Sequence, residues 1–453
     1  MVSINILPNE VLLEIFEFYL SEEYEASLDN ENNELDPCKK KGTEAWQSLV
    51  HVCQRWRSIV FGSARGLELQ LVCTPKTPAR DKLDIWPSWP LCIRSHSLCR
   101  TESMDNIIAG LERSDRVCEI ELFDIGCDLE KLLVAMQKPF PELIHLNISA
   151  GEGPAVSPLP DSFLDGDAPC LAYIELEDIQ FPGLPNLLLS APYLTSLFIK
   201  GISPYGYISP EVMVTVLSTL TCLEHLVLGF EDFRRLANQA PPPRPTSVLP
   251  VLSSFQFKGV SEYWADFVAR IDAPQLRRLD TALYNATEFD STQLVQFVCR
   301  TPLPKTLGEA SVTVEEDTVS VILHQLPSLE QDSSLPLSTS EELNFYKVNY
   351  RADPEDEALW LELLQSFTSL KNLYLSEELT PWIVLVLQEL VGSGTTGVLP
   401  TLENISLEGL EVSGPVQEAI GEFMAARQVT SHPIAVTRWE RMQEACDCCK
   451  DDD

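Results

Sequence analysis

The feature that most constrains this chain is a recurring six-residue pattern, apolar at positions one, four and six and polar between. It is written out in Val117-Cys118-Glu119-Ile120-Glu121-Leu122 and again in Leu143-Ile144-His145-Leu146-Asn147-Ile148. It returns at Leu171, Ile174, Leu176; at Leu194, Leu197, Ile199; at Leu223, Leu226, Leu228; at Leu252, Phe255, Phe257; and at Leu276, Leu279, Thr281. After a weak stretch at Ala310, Val312 and Leu343, Phe345 it reappears at Leu370, Leu373, Leu375 and at Leu402, Ile405, Leu407. Successive starts lie about 23 to 33 residues apart, the length of one short strand plus one helix. Residues two apart on a strand share a face, so each unit presents an apolar side it cannot bury alone and must stack on its neighbours. An α/β fold follows.

Helical patterns fall between the strands, at Glu211 to Leu220, Tyr263 to Ile271, Thr292 to Cys299, Glu357 to Phe367, Pro381 to Val391 and Val416 to Arg427. A proline often precedes the first leucine by two positions, as in Ala191-Pro192-Tyr193-Leu194, Ala273-Pro274-Gln275-Leu276 and Leu399-Pro400-Thr401-Leu402, ending the helix and setting up the strand. The pattern resembles long, irregular leucine-rich repeats over roughly residues 101 to 437. It departs from them where an asparagine usually follows the strand: Lys200-Gly201, Gly229 and Lys258-Gly259 stand there instead. The resemblance implies a solenoid with irregular turns; a mixed α/β domain with parallel strands of another type is the alternative. Between the inward leucines, Tyr173, Glu175, Ser196, Phe198, Glu224, His225, Val227, Arg277, Arg278, Asn372 and Tyr374 are the candidates for contacting a protein partner. His145 and His225 occupy equivalent polar positions of two units.

Two amphipathic helices are expected ahead of the repeats. Pro8 suits a first helical turn, Glu10 and Glu14 favour its positive end, and Val11 or Leu12, Ile15, Phe16 and Tyr19 give it an apolar face. Trp46, Leu49, Cys53, Trp56 and Val60 repeat that spacing. Leu7-Pro8 followed by Glu10, Leu12, Ile15 and Phe16, and later Leu49, Val52-Cys53 and Trp56-Arg57, resembles the F-box motif in its divergent fungal form. The resemblance implies a module that docks on the Skp-type adaptor of a cullin-based ubiquitin ligase. Leu7, Pro8, Leu12, Ile15, Phe16, Leu49, Val52, Cys53, Trp56 and Ile59 would divide between adaptor contact and internal packing. The strand at Leu67 to Val72 and the Trp86-Pro87-Ser88-Trp89-Pro90 run extend the resemblance to about residue 95.

Between the two helical stretches, residues 21 to 44 carry seven Asp or Glu from Glu22 to Asp36 and read as a flexible insert. The organisation is then a helical module at 1–62 with that insert, a strand and Trp/Pro-rich connector at 63–100, repeats at 101–437 and an acidic, cysteine-bearing tail at 438–453. Gly151 to Asp167 and the prolines of Ala240 to Pro245 read as loops, the latter a stiff connector or a proline-rich ligand.

Charge narrows the partners. The 453 residues hold 68 Asp and Glu against 32 Lys and Arg, a net charge of −36, which repels phosphate backbones and anionic membranes. The acidity either serves solubility or tolerates a basic protein partner. No run of eighteen uncharged apolar residues and no secretory leader is read, so a cytoplasmic or nuclear protein is expected. Thirteen scattered cysteines fit a reducing compartment, and Cys446, Cys448 and Cys449 lack a fourth ligand for a metal. Neither a phosphate-cradling glycine loop nor a nucleophile elbow is present, and the six histidines are not paired at metal-ligand spacing. No cofactor is called for. The expected function is substrate recognition within a Skp/cullin/F-box ubiquitin ligase, with no covalent chemistry of its own. A repeat scaffold without ubiquitin transfer is the alternative. A hydrolase on a mixed α/β fold would need a pocket and a strained nucleophile turn that the sequence does not offer.

Overall fold

A computed structural model describes residues 7–28, 45–63, 67, 70–84, 88–96, 104–123, 129–151, 158–231, 247–284, 291–301, 309–315, 318–324, 342–347, 371–375, 401–408, 418, 420–425 and 433–439. The chain is mixed α/β with large, mostly parallel sheet, and divides into two compact units, Met1–Ile208 and Ser209–Asp453. Outside the described residues lie the expected helices at 357–367 and 381–391, the prolines of 240–245 and the C-terminal cysteines.

The first unit opens with helices α1 (Asn9–Leu28), α2 (Ala45–Val52) and α3 (Gln54–Gly62). Helix α1 runs eight residues into the segment read as a flexible insert. Its acidic composition suggested disorder, yet Glu22, Glu23, Glu25, Ala26 and Leu28 are good helix formers with no Pro or Gly among them, and propagation of an existing helix needs little more. There follow β1 (Leu71–Cys73), α4 (Ala79–Lys82), β2 (Leu91–His96), α5 (Asp105–Leu111), β3 (Val117–Phe123), α6 (Leu129–Ala135), β4 (His145–Ser149), β5 (Tyr173–Glu177), α7 (Leu184–Leu189) and β6 (Ser196–Ile202). Strands β1 to β6 lie side by side in chain order, and the pairings from β1 to β6 are parallel.

That register turns the sequence pattern into rows. Ile120, Leu146, Ile174 and Leu197 are consecutive partners, as are Leu122, Ile148, Leu176 and Ile199, and all eight are buried. The first leucine of each motif enters by a shared device. The N–H of Leu143, Leu171 and Leu194 donates to the carbonyl three residues earlier, on Phe140, Ala168 and Ala191. Next, the carbonyls of Ile144 and Ala172 each accept from two successive N–H groups of the following unit, those of Ala172 and Tyr173 and of Thr195 and Ser196. Pro141, Pro169 and Pro192 therefore stand at the second position of a hydrogen-bonded four-residue turn, where a fixed φ near −65° is favoured, rather than at the start of extended chain.

The second unit repeats the device at Leu223, Leu252 and Leu276, whose N–H groups donate to Leu220, Leu249 and Ala273. Its elements are α8 (Pro210–Leu217), β7 (His225–Phe230), β8 (Ser247–Val248), β9 (Ser254–Val260), α9 (Ser261–Val268), β10 (Ile271–Asp272), β11 (Arg278–Tyr284), α10 (Ser291–Arg300), β12 (Glu309–Glu315), β13 (Thr318–His324), β14 (Glu342–Lys347), β15 (Asn372–Leu375), β16 (Asn404–Glu408) and β17 (Ala435–Trp439). Here the uniform order expected from the repeats fails. Strand β13 pairs antiparallel with both β11 and β12, so the sheet runs β7-β9-β11-β13-β12-β14-β15-β16-β17. The six-residue pattern had marked β12 through Ala310 and Val312 but missed β13, whose alternation in Thr318-Val319-Ser320-Val321-Ile322-Leu323 is that of a hairpin arm.

Candidate functional site

Two surfaces collect the residues singled out by the sequence. The first is the helical module. Leu12, Phe16, Leu49 and Ile59 are buried, and the Phe16 ring meets Trp56 at 4.7 Å. The start of α1 is held by Arg55, whose guanidinium donates to the Leu7 carbonyl at 2.5 Å and to Asn9 Oδ1 at 2.8 Å. Cys53 caps α3, its Sγ accepting from the Trp56 N–H at 3.5 Å. Trp46 and Phe61 close on the Trp89 ring at 4.8 and 5.4 Å, which fastens the module to the segment entering β2. These contacts are packing. Pro8 is exposed, Leu7, Cys53 and Trp56 are half-buried, and Ile15 and Val52 stand 41% and 57% exposed. Val11 and Phe18, four residues before and three after Ile15 on α1, are exposed as well, so an apolar stripe runs along one side of the helix.

The second surface is the sheet face turned away from the buried rows. In the first unit it reads across the strands as Cys92, Glu119, His145, Tyr173, Ser196, then Arg94, Glu121, Asn147, Glu175, Phe198, then Ser149, Glu177, Lys200. The polar members are wired together. Arg94 bridges Glu119 at 2.6 Å and Glu121 at 3.0 Å. The His145 imidazole stacks on Tyr173, centroids 4.2 Å apart and 6° from parallel, and Tyr173 lies 5.2 Å from Phe198. Glu175 receives the Tyr173 hydroxyl at 2.6 Å, Lys200 Nζ at 2.6 Å and Asn147 Nδ2 at 3.0 Å.

Electrostatics follow from that wiring. Burial opposes ionisation of Glu175, but the hydrogen bonds from Lys200 and Tyr173 outweigh it and hold the carboxyl below its ordinary range. Burial and the bond to Glu175 push the Tyr173 phenol well up. At Tyr173 and Glu175 the platform therefore sets an ionised carboxylate against a neutral phenol, beside the stacked His145 and Tyr173 rings.

In the second unit the equivalent face carries His225, Ser254 and Arg278, then Val227, Gln256 and Asp280. Gln256 Nε2 donates to Asp280 Oδ2 at 3.1 Å, and Lys258 Nζ lies 5.7 Å from the centre of the Tyr284 ring. Further along, Asn404 Nδ2 donates to Asn372 Oδ1 at 2.7 Å, and half-buried Tyr374 is the register partner of Ser406.

The structure thus gathers Tyr173, Glu175 and Phe198 on one face, and His225, Val227 and Arg278 on another. Ser196, chosen as solvent-directed, is buried, because it sits at the sheet entrance where its N–H is tied to the Ala172 carbonyl. Glu224 and Arg277 are exposed but precede their strands by one residue and so alternate away from His225 and Arg278. Arg94, Glu119, Glu121, Asn147 and Lys200 were missed as site residues. The polar third and fifth positions of the same pattern pointed to Glu119, Glu121 and Asn147, whereas Lys200 lies one residue beyond it and the strand of Arg94 carries no recognisable copy of it.

Among the described residues no three His, Cys, Asp or Glu side chains gather to hold a metal ion, and no helix is long and apolar enough to cross a membrane. No family model matches the chain, and no curated protein matches it.

Proposed function

We propose that this chain is the substrate-recognition subunit of a Skp/cullin/F-box-type ubiquitin ligase, whose N-terminal helices take the adaptor and whose leucine-rich-repeat-like strand face takes a protein substrate. The observation that carries the reading is the division within the motif residues. Leu12, Phe16, Leu49 and Ile59 pack the module, while Ile15 and Val52 remain 41% and 57% exposed, and Val11, one turn from Ile15 on α1, is exposed with them. An apolar edge on an already packed module is a surface that a partner would cover. The strand face offers a rigid set of charged and aromatic side chains for a second protein. Function is then proximity: holding substrate and ligase on one chain raises the local concentration of a substrate lysine, and no residue of this chain does covalent work.

The test is co-expression of the full chain with a Skp-type adaptor and a cullin. Native chain should co-purify with both, and Ile15→Glu combined with Val52→Glu should lose at least tenfold of the adaptor while keeping the native circular dichroism spectrum. A folded native chain that captures no adaptor overturns the reading. Adaptor capture without cullin leaves a repeat scaffold, the non-ligase alternative.

A further inference from the structure

The strand face has one feature that the recognition reading does not use. Cys92 on β2 and Cys118 on β3 bring their Sγ atoms to 3.9 Å, and both are buried. A local irregularity causes the meeting. Leu91 pairs with Val117 but Cys92 pairs with Glu119, so Cys118 is the extra residue of a bulge and leans toward Cys92 instead of alternating away from it. The pair is furnished with polar neighbours: Cys92 Sγ lies 2.8 Å from Gln70 Oε1 and 3.6 Å from Glu119 Oε2, and Cys118 Sγ lies 3.5 Å from the Leu91 carbonyl. By contrast, burial pushes the Cys73 thiol up to about 11, an effect the Arg116 charge offsets only in part.

We propose that Cys92 and Cys118 are a covalent modification site, a dithiol that hydrogen peroxide converts to a reversible cross-strand disulfide. The roles within the pair differ. The contact between the two sulfurs lowers the Cys118 thiol, and the same contact, with burial and the nearby Glu119 carboxylate, raises Cys92. Cys118 is also the more accessible of the two, at 7% against 0%. Cys118 thiolate attacks one peroxide oxygen, the O–O bond breaks, and the departing hydroxide takes a proton to become water, leaving Cys118 as a sulfenic acid. Cys92 then attacks the Cys118 sulfur. Its thiol proton goes to the departing hydroxyl, the S–O bond breaks, and the second water leaves as the S–S bond forms. Two thiols lose two electrons and one peroxide gains them. The two sulfurs stand 3.9 Å apart on neighbouring strands and must close to about 2.0 Å as the bond forms.

The experiment uses the reduced full-length chain, treated with one equivalent of hydrogen peroxide, quenched, alkylated under denaturing conditions and mapped by mass spectrometry. Trypsin with a glutamate-specific protease separates Cys118 from Cys127, because Glu119 and Glu121 lie between them. The expected product is a linked pair of peptides carrying Cys92 and Cys118, lighter by two hydrogens and restored by dithiothreitol. Cys73 should remain alkylatable. Cys118→Ser should abolish the link and leave Cys92 as free thiol; Cys92→Ser should instead trap a Cys118 sulfenic acid, detected with dimedone. If Cys92 and Cys118 are recovered as free thiols while exposed Cys170 and Cys222 are oxidised, the proposal fails. The native-chain map alone decides it if either serine variant does not fold.

Discussion

The two units stack the same turn-strand device on cores of different make. In the first, the inward rows are aliphatic: Ile120, Leu146, Ile174, Leu197 and their neighbours two residues on are leucine and isoleucine throughout. In the second, the corresponding rows turn aromatic at β9, between Leu226 and Leu279 and between Leu228 and Thr281. Phe255 and Phe257 on β9 meet Trp264 at 5.5 and 5.2 Å, and Phe267 and Phe297 close around Phe255 at 5.7 and 6.4 Å. The hydrogen-bonded turn before the first leucine is unchanged between them. Backbone geometry is thus set by the turn and the strand register, whereas the size of the inward side chains is free to vary if the layer behind adjusts. In the second unit α9 supplies that adjustment by contributing Tyr263, Trp264 and Phe267 to the core.

The comparison predicts unequal sensitivity to truncation. Trp264→Ala removes the largest fully buried side chain among the described residues and should cost about 3–5 kcal/mol in denaturant unfolding of the second unit. Trp264→Phe should cost clearly less. The indole Nε1 is buried without a hydrogen-bond partner, so losing it relieves a desolvated donor and offsets part of the lost packing. Equal losses for the two substitutions would remove the idea that the ring's apolar body, and not its N–H, holds this core.

Leu146→Ala in the first unit comes next, at about 2–5 kcal/mol, since a leucine presents fewer contact atoms than the indole and its row neighbours can close part of the cavity. Loss confined to the first unit is the informative outcome, read as a shifted first transition in urea with the second unchanged.

Glycine sharpens the contrast at the strand ends. Gly201 in β6 takes φ +64, and a Cβ there would lie 1.9 Å from Asp178 Oδ1 and 3.1 Å from Asp178 Cα. Gly259 in β9 needs no such backbone; a Cβ would instead meet the Phe230 and Phe257 rings at 3.0 Å. Gly201→Ala should cost more than the about 1–2 kcal/mol of a left-handed non-glycine residue, because its Cβ must also push the Asp178 carboxylate aside, and Asp178→Ala should recover part of that excess. At Gly259 the same alanine should cost according to how far the rings move, and asparagine should be the worse choice. No relief of Gly201→Ala by Asp178→Ala would mean that φ alone, and not the close approach of Asp178, selects glycine in the first unit.

How much of this could be read beforehand varies with the physical origin of the signal. The inward rows were legible because burial leaves a periodic trace: Leu143, Leu146 and Ile148, and each later triplet whose side chains are described, are buried at the marked positions. Tyr173, Glu175 and Phe198 were legible as their alternates. Three things were not. The reversal at β13 depends on which neighbour a strand pairs with, and period-two alternation is the same for either direction. The extension of α1 was hidden because acidic composition argues for disorder while Glu, Ala and Leu individually favour helix. The Cys92 and Cys118 meeting depends on a register slip of one residue, which no spacing in the chain announces. Ser196 went wrong for a related reason: its position in the pattern was right, but burial at the strand entrance is decided by the neighbouring turn.

The smallest expected effect concerns the polar face. The second unit's Gln256–Asp280 pair has one hydrogen bond, whereas Glu175 in the first collects three donors from three strands and is held below its usual range. For a carboxyl depressed on folding, the stabilisation is present above its unfolded value near 4.5 and is lost as pH falls through the folded value. The first unit should therefore lose stability as pH drops from about 6 toward about 3, beyond whatever the second loses. Glu175→Gln keeps the size but not the charge. It should weaken the first unit by on the order of 1 kcal/mol at neutral pH and flatten that slope, with mutant and native converging in acid. The measurement is urea unfolding at several pH values with the two transitions fitted separately. A parallel offset of Glu175→Gln from native at every pH would mean that the residue acts through packing and that its ionised charge contributes nothing to holding β4, β5 and β6 together.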